Sequence, residues 1–139
     1  NKVKEKTKDN PVFYVQYAYA RINSILRIID KKLTNKIILT NEDFNLNKYE
    51  ERIIRKIFEW PKIIESASRK FDLHKIPFYL YELSTLFHSY WSKGNEDKKY
   101  KFIDNSKINR KEILVVINLV AIVIKNGMGI LGVSLPDKM

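Results

Sequence analysis

The stretch NPVFYVQYAYARI, from Asn10 to Ile22, opens the first helix of the protein and crowds aromatic rings onto it. Asn10 is a favoured N-cap residue, and Pro11 suits the first helical position because the N–H that proline lacks has no helical partner there. A helix is therefore predicted from Pro11 to about Lys32 or Leu33. Rotation by about 100° per residue sorts its side chains into faces.

The first helix is predicted to have two non-polar faces. The broad core face consists of Val12, Val15, Tyr19, Ile22, Leu26, Ile29 and Leu33. A second stripe, about 130° away by the same rotation, consists of Tyr14, Tyr17, Arg21 and Ile28. Phe13 lies beside neither stripe. Because folding requires only the core face, the second stripe is a candidate contact surface.

Two shorter helices are predicted after a loop at about residues 34–46. Asn47 and the glutamate three positions later have the spacing of a capping box, so the second helix is expected from about Asn47 to Glu59. Pro61 ends this helix and opens a third one, which reaches Lys70. The inward residues of the third helix are expected to be Ile63, Ile64 and Ala67.

The fourth helix is predicted from a cap at Asp72 to about Ser92, with Pro77 as a potential kink in its first turns. Residues 93–108 are charged and contain Gly and Asn, so they are expected to form an exposed, mobile loop.

The last helix is predicted to begin at Asn109 or Arg110 and to end at Gly127 or near Gly132, before an irregular tail. Its apolar run is interrupted and shorter than the roughly 20 residues of a membrane span, so a buried helix is expected. The sequence shows neither the alternation of a sheet nor a solenoid repeat. The predicted fold is all-α: a single bundle of about five helices over residues 1–139, with residues 1–9 as a flexible segment or linker.

Composition indicates one basic domain. The 139 residues are 45% hydrophobic, and 26 Lys and Arg against 16 Asp and Glu give a formal net charge of +10. This charge favours a polyanionic partner, either a nucleic acid or an anionic membrane. The absence of cysteine excludes disulfides, thiolate zinc sites and cysteine nucleophiles. The polar N-terminus shows no signal peptide. It also lacks an initiator Met, so we expect a fragment of a longer protein.

Catalysis finds little support in the sequence. His74 and His88 lie far apart in the chain, and the motifs of serine hydrolases, zinc proteases and phosphate-binding loops do not occur. With 4 glycines, the chain cannot assemble a glycine-rich nucleotide-binding loop. We therefore predict no catalytic, cofactor or metal site, treat both histidines as structural or solvated, and regard a histidine-dependent hydrolase as the weakest hypothesis.

RNA binding has more support. Unpaired bases stack on aromatic rings and guanidinium planes, while Lys and Arg hold phosphates. Tyr14, Tyr17 and Arg21 supply this combination on one helix, and Trp91 with Lys93 repeats it near the end of another. The alternative is that these rings pack against a neighbouring helix, and composition alone does not decide between the two.

Three blocks of the sequence resemble the anticodon-binding domain of arginyl-tRNA synthetases. NPVFYVQYAYARI is similar to the Asn-Pro-Val-x-Tyr-x-Gln-Tyr-Ala-x-Ala-Arg motif that opens the first helix of that domain. FYLYELSTLFHSYW, residues 78–91, and IKNGMGILGVSLPDKM, residues 124–139, resemble two further family motifs. Because the blocks keep the family's order and spacing, the resemblance covers the chain from Asp9 to Met139.

The resemblance implies the C-terminal, DALR-type domain of a class I arginine–tRNA ligase, which activates arginine with ATP and transfers it to tRNA. The expected partner is the anticodon stem-loop of arginine tRNA, with the middle anticodon base, a cytosine, as a main recognition element. It implies a non-catalytic fragment, with ATP and magnesium bound only by the catalytic part of the parent enzyme. We also expect a cytoplasmic monomer that binds neither DNA nor membranes.

The same resemblance implies an RNA-binding set made up of Tyr14, Tyr17, Arg21, Trp91 and Met139. Trp91 would lie on the helix that faces the first one, and Met139 corresponds to a C-terminal methionine packed near the anticodon bases. Tyr19 is assigned to the core. The competing hypothesis is a basic helical module that binds protein or membrane surfaces without specificity for tRNA.

Overall fold

The computed structural model describes residues 10–29 and 43–139. These residues form five α-helices: α1 Pro11–Ile28, α2 Lys48–Phe58, α3 Trp60–Lys70, α4 Lys75–Glu96 and α5 Lys111–Leu131. Between α4 and α5 lie a 3₁₀ turn, Lys98–Tyr100, and an antiparallel hairpin of strands β1 Ile103–Asp104 and β2 Lys107–Ile108. The predicted all-α fold of about five helices is confirmed for this part of the chain.

Helices α1, α4 and α5 pack against one another at the centre of the bundle, and α2 packs on both α4 and α5. The large, fully buried side chains include Ile22, Leu80, Leu83, Phe87, Tyr90, Ile113, Ile117 and Ile124. Among the described helices, α5 is long and apolar enough to span a membrane by length and composition, but 50% of its most apolar window is buried in the bundle. It is the predicted buried helix, stabilised by the apolar surface it removes from water.

Helix α1 starts as predicted and ends earlier. The side chain of Asn10 accepts the backbone N–H two residues on at 3.0 Å, and proline occupies the first helical position. The helix ends at Ile28 because Ile29 is extended, with φ −78° and ψ 139°, and buries its side chain in the core. The predicted end at Lys32 or Leu33 is therefore wrong.

The core face of α1 is rotated from the predicted face. Its buried residues are Val15, Ala18, Ala20, Ile22 and Ile25. Tyr19 and Leu26 pack partly buried against the core, whereas Val12 is 38% exposed, contrary to the prediction. Because Ala18 and Ile25 are among the buried residues, the centre of the core face lies closer to the second stripe than predicted. That stripe is consequently drawn closer to the bundle than the sequence suggested.

Helices α2 and α3 follow the predicted pair. Asn47 and Glu50 form the predicted capping box, in which each side chain accepts the other residue's backbone N–H at 2.9 Å. Trp60 opens α3 one residue before the predicted proline, and its buried ring stacks on Tyr79 with 5.1 Å between centroids. The predicted inward side chains of α3 are, in order, partly buried, exposed and buried: Ile63, Ile64 and Ala67.

Helix α4 begins later and ends later than predicted. Its N-cap is His74, which makes no side-chain capping bond, so the predicted cap at Asp72 is wrong. Pro77 is the third residue of the helix, where a missing N–H leaves no helical hydrogen bond unmade, and the helix continues past it. The helix ends at Glu96, one turn beyond the predicted end at Ser92.

Residues 93–108 are more ordered than the predicted loop. The strands β1 and β2 are joined by Asn105 and Ser106, whose φ angles of 47° and 63° are the left-handed pair of a type I′ hairpin turn. Phe102 is 2% exposed, and its ring centroid lies 4.6 Å from that of Tyr90. The prediction of an exposed loop is wrong at Phe102, because its aromatic ring anchors the otherwise charged segment in the core.

Helix α5 ends at Leu131 and is capped by Gly132, which adopts the left-handed conformation with φ 69°, so the later predicted end, near Gly132, is confirmed. Gly127 lies inside the helix, and a Cβ atom there would be 2.7 Å from Cδ1 of Leu80. Glycine thus permits close packing of α5 on α4. The predicted linker at residues 1–9 and most of the predicted loop at residues 34–46 lie outside the described residues, so the single domain over residues 1–139 stays a prediction.

Candidate nucleic-acid interface

The second stripe of α1 and one face of α4 meet at an open cavity of about 320 Å³, which we name the α1–α4 cavity. Its lining consists of Tyr14, Tyr17, Arg21, His88 and Ser92. Spacings of three and four residues place side chains on one face of a helix, so each helix presents its members together. The cavity brings together three of the five residues predicted to bind RNA.

Arg21 supplies the positive charge of the α1–α4 cavity. Its Nη1 atom lies 3.4 Å from Nδ1 of His88, and its Cζ atom lies 5.1 Å from the ring centroid of Trp91. Partial burial lowers the pKa of Arg21, and the interaction with Tyr14 opposes that shift. No carboxylate within residues 10–29 and 43–139 forms an ion pair with it. A partly desolvated cation without such a partner is stabilised by an anionic ligand.

His88 lines the cavity, whereas the sequence predicts a structural or solvated histidine. Its Nε2 atom lies 3.1 Å from the carbonyl oxygen of Tyr14, and its Nδ1 atom faces Arg21. Because a guanidinium only donates, Nδ1 must accept and Nε2 must carry the proton given to the carbonyl. This tautomer ties α4 to α1 and places an acceptor against Arg21. The available signal was spacing, since His88 precedes Trp91 by three residues on one helix.

The tyrosine rings of the cavity are half-buried. The ring centroid of Tyr14 lies 4.3 Å from that of His88 and 5.2 Å from that of Tyr81. The ring centroid of Tyr17 lies 6.0 Å from that of Phe13, so Phe13 does adjoin the second stripe, contrary to the prediction. These rings are neither sealed in the core nor fully bare. Each therefore combines packing within the protein with a surface open to a ligand.

Trp91 lies on α4, the helix that faces α1, but it does not line the α1–α4 cavity. Its ring carries Arg21 over one face and meets the edge of Phe102, with 5.3 Å between the two centroids and 85° between the planes. Lys93, the cation predicted to act with Trp91, forms an ion pair with Glu96 at 3.6 Å. The indole thus contacts the cavity through the guanidinium.

The C-terminal tail runs beside α1. Gln16 donates from its side chain to the carbonyl oxygen of Ser134 at 2.8 Å, and Arg27 donates to that of Asp137 at 3.2 Å. At about 100° per residue, these two anchors lie roughly 120° around α1 from the second stripe. Met139 is 49% exposed and does not line the α1–α4 cavity.

The described residues contain no group of three or more His, Asp or Glu side chains that could hold a metal ion. The two histidines stand apart: His74 lines a separate cavity near the start of α4 with Phe78 and Tyr79, while His88 lies in the middle of the helix. The arrangement at α1 and α4 offers a cation, hydroxyl groups and aromatic surface, which is the chemistry of binding.

Sequence comparisons relate the chain to a known family. Residues 15–139 match the family model of the DALR anticodon binding domain. The chain is 48% identical over 138 residues to an arginine–tRNA ligase of Pelagibacter ubique (strain HTCC1062), a match that covers 99% of this chain and 24% of the relative. It is 38% identical over 146 residues to an arginine–tRNA ligase of Rhizobium meliloti (strain 1021), covering 99% of this chain and 25% of the relative.

A solved structure shares the fold. The match is a crystal structure assigned as an arginyl-tRNA synthetase of Campylobacter jejuni, with a TM-score of 0.78 and 25% sequence identity. It covers 99% of this chain and 28% of that one. The chain thus spans about a quarter of the length of the relatives it matches. On the match over residues 15–139, the chain belongs to the DALR anticodon binding domain family.

Proposed function

We propose that the chain is the tRNA-recognition domain of an arginine–tRNA ligase, and that the α1–α4 cavity receives unpaired nucleotides of the anticodon loop. The observation that carries the proposal is the setting of Arg21. Its half-buried guanidinium is held by His88 and Trp91, and it has no carboxylate partner among the described residues. The family membership and the identity to arginine–tRNA ligases support this class of ligand.

An anticodon loop supplies the groups that complement the cavity. Its unstacked bases can stack on the open surfaces of Tyr14 and Tyr17, a contact worth roughly 1–3 kcal/mol per base. Arg21 can donate to a phosphate or to a base edge through N–H groups that His88 and Trp91 leave unused. Because those two neighbours already restrict the guanidinium, less side-chain entropy is lost when RNA binds. Discrimination among bases then comes from hydrogen bonds to their edges.

The other two predicted RNA-binding residues take different roles in this proposal. Trp91 acts through Arg21, whose guanidinium covers its ring. Met139 is proposed as a separate contact at the edge of the interface, because the tail that carries it is tied to α1 by Gln16 and Arg27. An anticodon stem-loop is larger than one cavity, so one RNA can contact the α1–α4 cavity and Met139 at the same time.

The activity of the whole protein is part of the proposal, because the chain spans about a quarter of its relatives. The parent enzyme would activate arginine with ATP and magnesium in its catalytic part and transfer the arginine to tRNA. This chain would contribute binding of the anticodon stem-loop and no catalytic group. We further propose a cytoplasmic monomer, with neither DNA nor membrane as a partner.

A titration tests the proposed function. The 139-residue chain is mixed with arginine tRNA, and separately with the same tRNA altered only at the middle anticodon base, at one fixed salt concentration. Phosphate contacts contribute equally to both complexes, whereas base contacts do not. We expect the altered tRNA to bind at least tenfold more weakly, which corresponds to about 1.4 kcal/mol.

Equal affinity for the two tRNAs would reject the proposal in favour of non-specific charge attraction, as expected for a basic interaction module. A second measurement concerns the cavity itself. Tyr17→Ala should weaken binding of the unaltered tRNA about tenfold, because one stacking surface is lost. Its melting temperature should stay close to that of the parent chain, since Tyr17 is outside the core cluster.

A further inference from the structure

A second open cavity, of about 410 Å³, adjoins the α1–α4 cavity on α4. The two cavities share Tyr14, His88 and Ser92, so these residues form a common wall. The second cavity extends along α4 to Ser89, Lys93 and Glu96, and we name it the Ser89 cavity. Its members on α4 recur at intervals of three and four residues, which places them in one stripe along the helix.

The Ser89 cavity differs in chemistry from its neighbour. Ser89 and Ser92 are exposed, and their hydroxyl groups can both donate and accept. Tyr49 is its additional aromatic residue, but that ring already stacks on Tyr90 at 5.4 Å and meets Tyr100 edge-on at 5.1 Å. The occupied ring leaves little surface for a base. Hydroxyl donors and acceptors instead suit a ribose and its phosphate.

The charge around the Ser89 cavity is mainly positive. Lys93 lines it, and Lys48 and Arg52 approach the ring of Tyr49 to 5.3 and 5.9 Å from its centroid. Glu96 is the one acidic residue of the lining and pairs with Lys93 at 3.6 Å. That pair is largely solvent-exposed on the glutamate side, so it is weak and easily exchanged for a phosphate.

We propose that the Ser89 cavity holds the ribose–phosphate of the nucleotide next to the one whose base enters the α1–α4 cavity. The RNA strand then crosses α4 over the shared wall, with base contacts on the α1 side and backbone contacts on the Lys93 side. This inference rests on the proposed function. It assigns Ser89, Ser92 and Lys93 to the RNA backbone, and it makes Glu96 a group that opposes binding.

A pair of matched substitutions tests the crossing. The probe is an RNA hairpin with the anticodon stem and loop of arginine tRNA, titrated into the full 139-residue chain. Ser89→Glu places a negative charge in the proposed phosphate position, whereas Ser68→Glu places the same charge on the exposed surface of α3. We expect Ser89→Glu to weaken binding about tenfold and Ser68→Glu to change it less than twofold. Melting temperatures establish that both variants fold.

The glutamate supplies a test in the opposite direction. Glu96→Gln removes the competing charge and releases Lys93, so it should tighten hairpin binding about threefold. The control, Glu65→Gln, breaks a comparable exposed pair, that of Glu65 with Arg69 at 2.9 Å on α3. The control variant should bind with the affinity of the parent chain, within about 1.5-fold.

The outcomes separate this inference from the proposed function. If Ser89→Glu and Ser68→Glu weaken binding equally, or Glu96→Gln and Glu65→Gln behave alike, the strand does not cross α4 at the Ser89 cavity. The proposed function would survive that result as long as the parent chain still distinguishes the middle anticodon base. If the unsubstituted chain does not distinguish the middle anticodon base, both the proposed function and this inference are rejected.

Discussion

The guanidinium of Arg21 lies over the indole ring of Trp91, with its Cζ atom 5.1 Å from the ring centroid. A cation–π contact of this kind contributes about 0.5–1 kcal/mol at exposed sites and more when water is excluded. It also fixes the guanidinium plane while its N–H groups remain able to donate at the edge. The contact therefore joins α1 to α4 and prepares Arg21 for an anion at the same time.

The shape of the Arg21 side chain, as well as its charge, is predicted to matter. Arg21→Lys keeps the positive charge but loses the planar guanidinium group that lies over Trp91 and faces His88. We expect arginine tRNA to bind this variant about tenfold more weakly in a filter-binding or fluorescence titration. The control is Arg69→Lys, at an exposed arginine on α3 that pairs with Glu65 at 2.9 Å. A similar loss in both variants would contradict the role given to the Trp91 stack.

The two contacts of His88 can be separated by amide substitutions. In His88→Asn the amide oxygen can take the place of Nδ1 and accept from Arg21, whereas in His88→Gln the amide N–H can take the place of Nε2 and donate to the carbonyl of Tyr14. If orientation of Arg21 governs RNA affinity, the asparagine variant should bind tRNA within about threefold of the parent. The glutamine variant should bind about tenfold more weakly, a hydrogen bond to a charged group being lost. If the glutamine variant binds tRNA more tightly than the asparagine variant, the hydrogen bond to the Tyr14 carbonyl governs RNA affinity instead.

Neighbouring glutamates in α2 are predicted to differ sharply in their contribution to stability. Glu50 is fully buried and accepts from Arg110 at 2.6 Å and from the hydroxyl of Tyr90 at 2.9 Å. Glu50→Ala removes the hydrogen bonds that this carboxylate accepts from Asn47, Tyr90 and Arg110. Arg110 keeps Glu112 at 3.7 Å, but the buried hydroxyl of Tyr90 loses its acceptor, so the free energy of unfolding should fall by about 3 kcal/mol. Glu51→Ala breaks only an exposed pair with Arg55, and should cost less than about 0.5 kcal/mol. Urea titrations of both variants would measure the difference, and equal losses would contradict it.

Two glycines of α5 should respond oppositely to alanine. A Cβ atom at Gly129 meets nothing within 4 Å, so Gly129→Ala should stabilise the helix by about 0.5–1 kcal/mol. At Gly127 the Cβ atom would lie 2.7 and 2.8 Å from the two Cδ atoms of the buried Leu80. Overpacking of this kind costs about 1–3 kcal/mol, which exceeds the gain in helix propensity. Thermal melts should therefore move up for Gly129→Ala and down for Gly127→Ala, and an upward shift in both would show that Leu80 repacks without strain.

Alkaline pH is predicted to destabilise the fold through Tyr90. Burial raises the pKa of its hydroxyl, the hydrogen bond from Asn47 opposes the shift, and Glu50 adds to it. The folded pKa thus lies above the unfolded value of about 10, so stability is complete below about pH 10 and falls as the pH rises beyond it. Tyr79, whose pKa is also raised by burial, contributes in the same direction. In Tyr90→Phe the free energy of unfolding should fall less between about pH 9 and pH 11. An unchanged slope would refute the assignment.

Helix ends with a local chemical cause were predictable from the sequence. Asn10 accepts the first helical N–H groups, Asn47 forms a capping box, and Gly132 adopts the left-handed conformation that ends α5. Helix ends that are set by tertiary packing were not predictable from the sequence. Glycine in a charged stretch indicates a loop, but Gly94 lies inside α4, where a Cβ atom would be 2.7 Å from the carbonyl oxygen of Tyr100. Its absent side chain allows the following turn to approach the helix, and no local pattern reveals that.

The candidate site shows the same division between features set by the local sequence and features set by tertiary packing. Helical periodicity was sufficient to group Tyr14, Tyr17 and Arg21 on one face, because spacing along a single helix fixes which side chains are neighbours. His88 required knowledge of which face of α4 meets α1, and that depends on packing across the whole bundle. Phe102 was hidden for a related reason, since one aromatic ring in a charged segment does not show which core it enters.

The hairpin between α4 and α5 is also a suitable position for a label that reports RNA binding. Its turn residues Asn105 and Ser106 are exposed, while Phe102 at its base supports Trp91 from within the core. The chain contains no cysteine, so Ser106→Cys would create a unique thiol for a fluorescent dye. A reporter at that tip is carried by the same segment that braces the indole beneath Arg21, and its signal can follow RNA docking without an alteration of the contacting residues.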